Sequence, residues 1–435
     1  MRKAIITILG TILPPRDGQE KAKYYFSDEL QDKFKLKKER YTNMLPLLID
    51  NFQDYGDIQS IYTNLSKQRQ ITVLEYENLN YNIEQNGLFI SENLEDIESN
   101  YSYFLNKYNE LIEQYDKVII DVSHGFRHFP ILAVVNLILQ NIKNPEKIEY
   151  IFFAKEKKQF QEYEIIDLKE YLELANLSFM LSTFNQNYTV ANNIKFTNPF
   201  YQKIAVQLTD FSNHFLANSL KPLIGGTAIE NIINNLKKLQ KKETVKNFEN
   251  YIIEIIEHLE DIRQLRHEKS DWERLYQLSK IMSSRGYQLN SITLLFEAVG
   301  FYCLEAICSN VKTMDSRKRE YQNYIKQKRK PEHIFSTYTM VNDARVITKI
   351  KDRFKILNNR QFINSNNLKS GVIYFLNSID SLDDFKNFIE SMEAFRNNLT
   401  HGNSSQAIDD VKKSYDNMLN KFEYFCIEKN ILNIL

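Results

Sequence analysis

The first part of the chain alternates short apolar runs, typical of buried strands, with longer helical patterns. The β-branched run 118–120 is the clearest strand, and further strands are predicted at 4–9, 22–26, 58–63, 147–154 and 163–168. Helices are predicted between them at 40–52, 95–115 and 130–140. Because strands that alternate with helices form parallel sheets, this pattern favours a Rossmann-like α/β fold.

From about residue 171 the strand patterns fade and helical periodicity dominates. Helices are predicted at 201–216, 227–239, 245–264, 275–282, 288–310 and 384–399. The 435 residues are enough for two or three domains with their own cores. We therefore predict an α/β Rossmann-like domain over 1–170, an all-α linker over 171–285 and an all-α domain over 286–435.

Charge and cysteine content narrow the function classes only slightly. Lys plus Arg and Asp plus Glu both total 56, so net charge attracts the chain neither to nucleic acid nor to a membrane. The basic run 312–330, with Tyr321 and Tyr324 interleaved, is either a solvated face or a track for single-stranded nucleic acid. Three cysteines without a pairing pattern indicate buried thiols in a reducing compartment.

The apolar runs are too short for a signal peptide at the N-terminus or for the ~20 residues of a membrane span. We therefore expect a soluble, cytoplasmic protein with no membrane partner. The sequence contains neither of the glycine-rich motifs that bind dinucleotides or ATP. The pair His267-Glu268 has no second pair at metal-binding spacing, so we expect no metal site there.

The strand at 118–120 leads into the polar turn Asp121-Val122-Ser123-His124-Gly125-Phe126-Arg127-His128, which an apolar helix follows. A strand, a turn and a helix in this order place backbone N–H groups at a helix N-terminus, where anions are favoured. Arg127 and His128 oppose the helix dipole there, which makes sense if a phosphate binds. The alternative is an ordinary turn with exposed basic residues.

Two other predicted strands end in similar polar pairs, Gly10-Thr11 and Thr63-Asn64. Parallel sheets bind ligands at the carboxyl ends of their strands, and the turn at 121–128 lies at such an end too. The convergence of three strand ends predicts a ligand site at this edge of the sheet.

The chain has a second candidate site near its C-terminus, where the helix 384–399 closes with Arg396-Asn397-Asn398-Leu399-Thr400-His401-Gly402. Gly402 is suited to end the helix. A histidine can act as general acid and base, and a guanidinium can bind a phosphodiester, which suffices for metal-free RNA cleavage by the substrate's own 2′-OH. The alternative is that both cations merely complement the dipole of the helix end.

The segment Asp-Val-Ser-His-Gly-Phe-Arg-His-Phe-Pro at 121–130 resembles the Asp-x-Thr-His-Gly signature of CRISPR-associated Rossmann-fold (CARF) sensor domains, with Ser123 in place of the usual Thr. The first strand, ending in Leu9-Gly10-Thr11, is similar to theirs as well. The resemblance implies a site for cyclic oligoadenylate, here predicted as cyclic tetra-adenylate, with Arg127 on a phosphate. The expected ligand residues are Gly10, Thr11, Asp121, Ser123, His124, Gly125, Arg127 and His128.

The segment Phe395 to Gly402 resembles the Arg-x4–6-His motif of HEPN ribonucleases. The resemblance implies that Arg396 and His401 are catalytic and that Asn397 supports them. HEPN sites of this kind are composite across a dimer axis, so it also implies a homodimer, which suits a ring of two-fold symmetry.

With the sensor motif first and the nuclease motif last, the chain resembles the CARF–HEPN ancillary ribonucleases of type III CRISPR systems. The expected activity is metal-independent cleavage of single-stranded RNA, switched on by cyclic oligoadenylate, with no other cofactor and no stable protein partner. One alternative is a non-catalytic sensor or adaptor, and another is a toxin-type HEPN ribonuclease that a protein partner regulates. Whether the sensor domain also cleaves its own activator is left open.

Overall fold

Eight strands of the described chain form one mixed sheet in the N-terminal half, and helices make up most of the rest. The computed structural model describes residues 1–16, 18–90, 101–125, 128–190, 194–219, 221–312, 345, 376, 378–380 and 382–434. Its first unit comprises Met1–Asn185, Thr189–Ser212 and Asn234–Ile253, and its second Gln186–Tyr188, Asn213–Ile233 and Glu254–Leu435. The division at residues 170 and 285 stays a prediction.

The sheet has the order β3-β2-β8-β7-β6-β1-β4-β5, in which the five strands from β7 to β5 are parallel. The strands are β1 Lys3–Ile8, β2 Ala22–Phe26, β3 Arg40–Tyr41, β4 Asp57–Tyr62, β5 Gly87–Phe89, β6 Lys117–Asp121, β7 Ile148–Lys158 and β8 Glu162–Asp167.

The predicted parallel sheet is correct for the centre and wrong for one edge, where β8 runs antiparallel to β7 and β3 antiparallel to β2. The reason at β7 and β8 is the length of their connection. Only residues 159–161 join the two strands, and a parallel pair would need a crossover of a dozen or more residues.

Helices cover both faces of the sheet, which explains why its central strands are apolar on both sides. The helices described in this half of the chain are α1 Asp28–Gln31, α2 Met44–Phe52, α3 Asn64–Glu77, α4 Tyr101–Glu113, α5 His128–Lys143, α6 Lys169–Asn187 and α7 Pro199–Leu216. Ile6 and Ile120 pack with α4 and α5 on one face, and Ile5 packs with α2 on the other.

The helix predicted from residue 40 instead begins at Met44. Asn43 is its N-cap, and the side-chain oxygen of Asn43 accepts a hydrogen bond from the backbone N–H of Leu45 at 3.0 Å. Residues 40 and 41 pair with β2 as an edge strand. The sequence patterns gave no prediction of α3 or of the short strand β5.

The helices of the second half begin with α8 Lys221–Gly225, α9 Ala228–Gln240 and α10 Glu249–Gln264, with 3₁₀ turns at Glu243–Phe248 and Leu265–His267. They continue as α11 Asp271–Ser284, α12 Gln288–Lys312, α13 Leu382–Thr400 and α14 Ile408–Phe422, followed by a π-helical turn at Glu423–Glu428.

A single hydrophobic core joins α11, α12, α13 and α14 in the second unit. Within the described residues, one stretch, Gln288–Ala306, is long and apolar enough to cross a membrane by length and composition. It is mostly buried, as expected of the central helix of such a core. Cys303 and Cys426 are buried thiols in the same core. The basic run predicted after residue 312 lies outside the described residues.

Candidate functional site

The first candidate site lies at the switch point of the sheet, where successive strands stop being added on one side of β1 and begin to be added on the other. From β1 the parallel strands continue to β4 and β5 on one side and to β6 and β7 on the other. Ligands of open α/β sheets bind at the carboxyl ends of the strands on either side of such a switch point. The turns after β1 and β6 meet here, since a Cβ atom on Gly10 would lie 3.0 Å from the Cβ of His124.

The structure thus brings Gly10, His124 and Gly125 together, with Thr11 exposed beside them. Arg127 lies outside the described residues, and His128 is described only by its backbone, as the first residue of α5. Thr63 follows β4, where its hydroxyl forms a capping box with Ser66 at the start of α3. That hydroxyl is therefore engaged in the fold.

A buried hydrogen-bond network around the Asp121 carboxylate joins β1, β6 and β7 at the turn that follows β6, here called the β6 turn. Asp121 is 0% exposed and accepts three hydrogen bonds, from the Thr7 hydroxyl at 2.7 Å and from the backbone N–H and hydroxyl of Ser123 at 3.1 and 2.5 Å. The Ser123 hydroxyl in turn accepts from the backbone N–H of Ala154 at 2.8 Å. These bonds to Asp121 fix the position of the turn. The hydrogen of the Ser123 hydroxyl is already donated to Asp121.

Thr7 is the member of this network that the sequence analysis missed. It is a polar residue inside the apolar strand β1, and its register partner across the parallel pair is Asp121. A lone hydroxyl within a buried strand was the available signal, because a buried polar group needs a hydrogen-bond partner.

Gly125 is required at its position for two independent reasons. Its φ of +112° lies in a region that residues with a side chain avoid, and a Cβ there would come within 2.6 Å of Cγ2 of Ile8. The absence of a side chain therefore allows the β6 turn to pack directly on the end of β1.

His124 links the β6 turn to the start of α2. Its Nε2 accepts a hydrogen bond from the backbone N–H of Met44 at 3.4 Å, which requires a neutral imidazole. Burial lowers the pKa of His124, and the nearby Asp121 carboxylate offsets only part of that effect. A positive charge is also disfavoured at a helix N-terminus.

Two amide side chains complete the connection between the turn and α2. Gln70 donates to the carbonyl oxygen of Gly10 at 2.9 Å and accepts from Asn43, the N-cap of α2, at 3.1 Å. No local pattern marks Gln70 or Asn43 as part of the site. Their contribution depends on contacts between residues that are distant in the sequence.

We expect His124 to make the stability of the protein depend on pH. Because the pKa of His124 is lower in the folded than in the unfolded chain, its contribution is complete above the ordinary value of 6.5 and is lost as the pH falls below it. Urea unfolding at about pH 7.5 and about pH 5.5 measures the effect. The free energy of unfolding should decrease less on acidification in His124→Gln than in the wild type.

His258→Gln is an independent second variant for this measurement. Burial and the adjacent Arg285 also lower the pKa of His258, so His258→Gln should remove a separate part of the same trend. Wild type and His124→Gln with equal losses of stability on acidification would contradict the prediction.

The second candidate site lies at the C-terminal end of α13, where the backbone forms a Schellman motif. The N–H of Gly402 donates to Leu399 at 3.2 Å, and the N–H of Asn403 donates to Asn398 at 2.9 Å. Gly402 has a φ of +66°, as this motif requires. The helix therefore ends at Thr400, and His401 is the first residue beyond it.

Around Arg396 the structure joins two of the three predicted catalytic residues. Nη1 of Arg396 donates to the side-chain oxygen of Asn397 at 2.7 Å, and the guanidinium carbon lies 5.3 Å from the ring centre of Phe296 on α12. His401 is exposed. In the described part of the chain, no hydrogen bond joins the His401 imidazole to Arg396 or Asn397, and Arg396 makes no ion pair.

Metal-binding side chains are not clustered in the part of the chain that the structure describes. No group of three or more His, Cys, Asp or Glu residues there is arranged to hold a metal ion. The predicted residues of the second site supply one guanidinium, one imidazole and one amide.

Comparisons with known proteins give little further information. No family model and no curated protein matches the sequence. Among solved structures, Enterococcus italicus Csm6 bound to cyclic hexa-2′-fluoro-hexa-dAMP is similar over 100% of both chains, with 12% sequence identity and a TM-score of 0.36. That similarity is too low to support a functional conclusion.

Proposed function

We propose that this protein is a metal-independent endoribonuclease that cleaves single-stranded RNA when cyclic oligoadenylate binds its N-terminal domain, in the service of type III CRISPR antiviral defence. One observation carries the proposal furthest, the contact between the turns after β1 and β6 at the switch point of the sheet. Those turns contain both segments that resemble the CARF sensor domains. Arg396, a cation without a carboxylate partner among the described residues, supports the nuclease half.

In the sensing half, the ring lies over the carboxyl ends of β1 and β6. Gly10 and Gly125 let the turns after β1 and β6 pack closely at this edge, so that one ring can reach both turns. A ring phosphate is bound by Arg127 and by the backbone N–H groups at the start of α5. Asp121 and Thr7 hold the turn in shape without touching the ring.

In the nuclease half, the scissile phosphate binds to Arg396, which Asn397 holds by a hydrogen bond. His401 accepts the proton of the 2′-OH as that oxygen attacks the phosphorus. The bond to the 5′-oxygen breaks as the imidazolium so formed returns that proton, through solvent, to the leaving oxygen. Arg396 stabilises the charge that develops on the phosphate. The products are a 2′,3′-cyclic phosphate and a 5′-hydroxyl.

A homodimer is proposed because α5 exposes an apolar stripe. Ile131, Val135 and Leu139 follow one another at a spacing of four residues on one helix face and are 65%, 51% and 58% exposed. Since α5 begins at the β6 turn, two copies paired through this stripe bring their two turns towards one two-fold axis. The result is a two-fold cleft for a two-fold ring.

The proposed dimer predicts that Val135→Glu weakens self-association by about 100-fold or more, because a charge in an apolar interface is costly to desolvate. Sedimentation velocity over a range of concentrations measures the effect. Val206→Glu is the matched control, since Val206 is similarly exposed, at 56%, and belongs to a different helix, α7. A Val135→Glu variant that dimerises like the control would contradict this interface.

The sensing half is tested by calorimetric titration of the protein with cyclic tri-, tetra- and hexa-adenylate, with linear tetra-adenylate as the control. We expect one cyclic species to bind with one ring per two chains and the linear control to bind much more weakly. Absence of binding by every ring would overturn the sensor assignment.

One observation favours the non-catalytic alternative, because within the described residues no hydrogen bond joins the side chains of the exposed His401 and the half-buried Arg396. In that case both cations only stabilise the end of α13. Tight ring binding without any RNA cleavage would support this alternative. Cleavage that is independent of every ring would instead support a toxin-type ribonuclease regulated by a partner.

A further inference from the structure

Two guanidinium groups share one aromatic ring next to the second candidate site. The guanidinium carbon of Arg345 lies 3.8 Å from the ring centre of Phe296, and that of Arg396 lies 5.3 Å from the same point. The two positive charges are therefore no further apart than the sum of these distances, 9.1 Å. Like charges this close repel each other unless anions compensate them.

The two arginines differ in how their charge is compensated. Arg345 is 2% exposed, forms an ion pair with Glu297 at 3.5 Å and donates to the carbonyl oxygen of Phe296 at 3.2 Å. Arg396 is half-buried and has only the ring of Phe296 and the amide oxygen of Asn397. Among the described residues, a carboxylate therefore compensates the charge of Arg345 but not the charge of Arg396.

We propose that Phe296 is a positioning residue for Arg396, holding its guanidinium ready to bind a phosphodiester of single-stranded RNA. The inference rests on the proposed nuclease function and adds a residue to its site. The ring face attracts the cation and restricts it without neutralising it, so the full charge remains available to the substrate. Arg345 is buried and already paired with Glu297, so Arg396 is the cation on this ring that a substrate can reach.

The test compares the single-turnover cleavage of RNA by three variants of the full chain. Phe296→Leu keeps an apolar side chain but removes the aromatic face, and it should lower kcat/KM by about two- to thirty-fold. Phe296→Tyr restores the face and should recover most of the rate. Phe388→Leu is the control, because Phe388 is buried in the same core and its ring centre lies 5.6 Å from that of Phe425 in a tilted arrangement, with no cation on its ring in the described structure.

Thermal unfolding of the three variants separates positioning from packing. We expect Phe296→Leu and Phe388→Leu to lose similar stability and only Phe296→Leu to lose rate. Equal losses of rate in both variants, or an unchanged rate in Phe296→Leu, would overturn the proposal.

A binding measurement tests the role of Phe296 even if the protein does not cleave RNA. A labelled 2′-deoxy oligonucleotide offers the same phosphodiesters and lacks the attacking hydroxyl. Its fluorescence anisotropy should show weaker binding to Phe296→Leu, in the same direction as to Arg396→Ala. If the wild type binds this probe but cleaves no RNA, only the nuclease proposal is overturned. If the wild type and Phe296→Leu bind the probe equally, the proposed role of Phe296 is overturned.

Discussion

Replacing His401 with alanine is expected to lower ring-stimulated RNA cleavage by about 10²- to 10⁴-fold, the usual contribution of a general acid or base. The fold should hardly change, because His401 is exposed and its contact with α13 is made by its backbone N–H, which donates to Asn397 at 3.0 Å. Cleavage of a fluorescent single-stranded RNA, with thermal unfolding of the same samples, measures both effects.

His267→Ala is the matched control for this variant, since His267 is also exposed and lies in a 3₁₀ turn of the same unit. Its cleavage rate should equal that of the wild type. If cleavage survives in His401→Ala, the catalytic centre lies elsewhere in the chain.

Replacing Asp121 with asparagine is expected to destabilise the protein by about 3 kcal/mol and to abolish ring binding. The Asp121 carboxylate accepts from Thr7 and twice from Ser123. An amide has only one accepting oxygen, so its NH₂ group faces a donor and the β6 turn loses its anchor. Urea unfolding and ring titration measure the two effects.

Thr7→Val provides a graded comparison, because it removes one of the three donors and retains the volume of the side chain. Its cost should be about 1 kcal/mol. An Asp121→Asn variant that is no less stable than Thr7→Val would show that the buried network does not hold the turn.

The sequence predicted the parts of the fold that depend on local hydrophobic patterns. The strands at β1, β2, β4, β6, β7 and β8 and the helix after the β6 turn are confirmed, because continuous apolar runs and helical periodicity reflect burial directly. Gly402 is confirmed at the end of its helix by its left-handed conformation. Both features are encoded within a few neighbouring residues.

The parts that were missed depend on contacts between distant segments. Gln70 bonds to Gly10 across 60 residues, and Thr7 bonds to Asp121 across 114. The ring of Phe296 lies 100 positions before Arg396, and no pattern around either residue indicates that they meet. Such pairs are determined by the packing of whole elements.

For the predicted site residues the structure refines the roles and leaves the functions as predictions. Asp121 is fully buried and bonded to Thr7 and Ser123, and its place near a ligand stays a prediction. Gly10, His124 and Gly125 do meet at one edge of the sheet. The pairing of Arg396 with Asn397 agrees with a supporting role for the amide, and the catalytic roles await measurement.

The most direct test of the central claim is cleavage of a fluorescent single-stranded RNA in EDTA, with cyclic tri-, tetra- or hexa-adenylate added separately. We expect one ring, predicted to be cyclic tetra-adenylate, to switch cleavage on, and Arg396→Ala to abolish it in the presence of that ring. Cleavage that no ring stimulates, or that requires a divalent metal, would contradict an RNase that is activated by cyclic oligoadenylate and works without a metal ion.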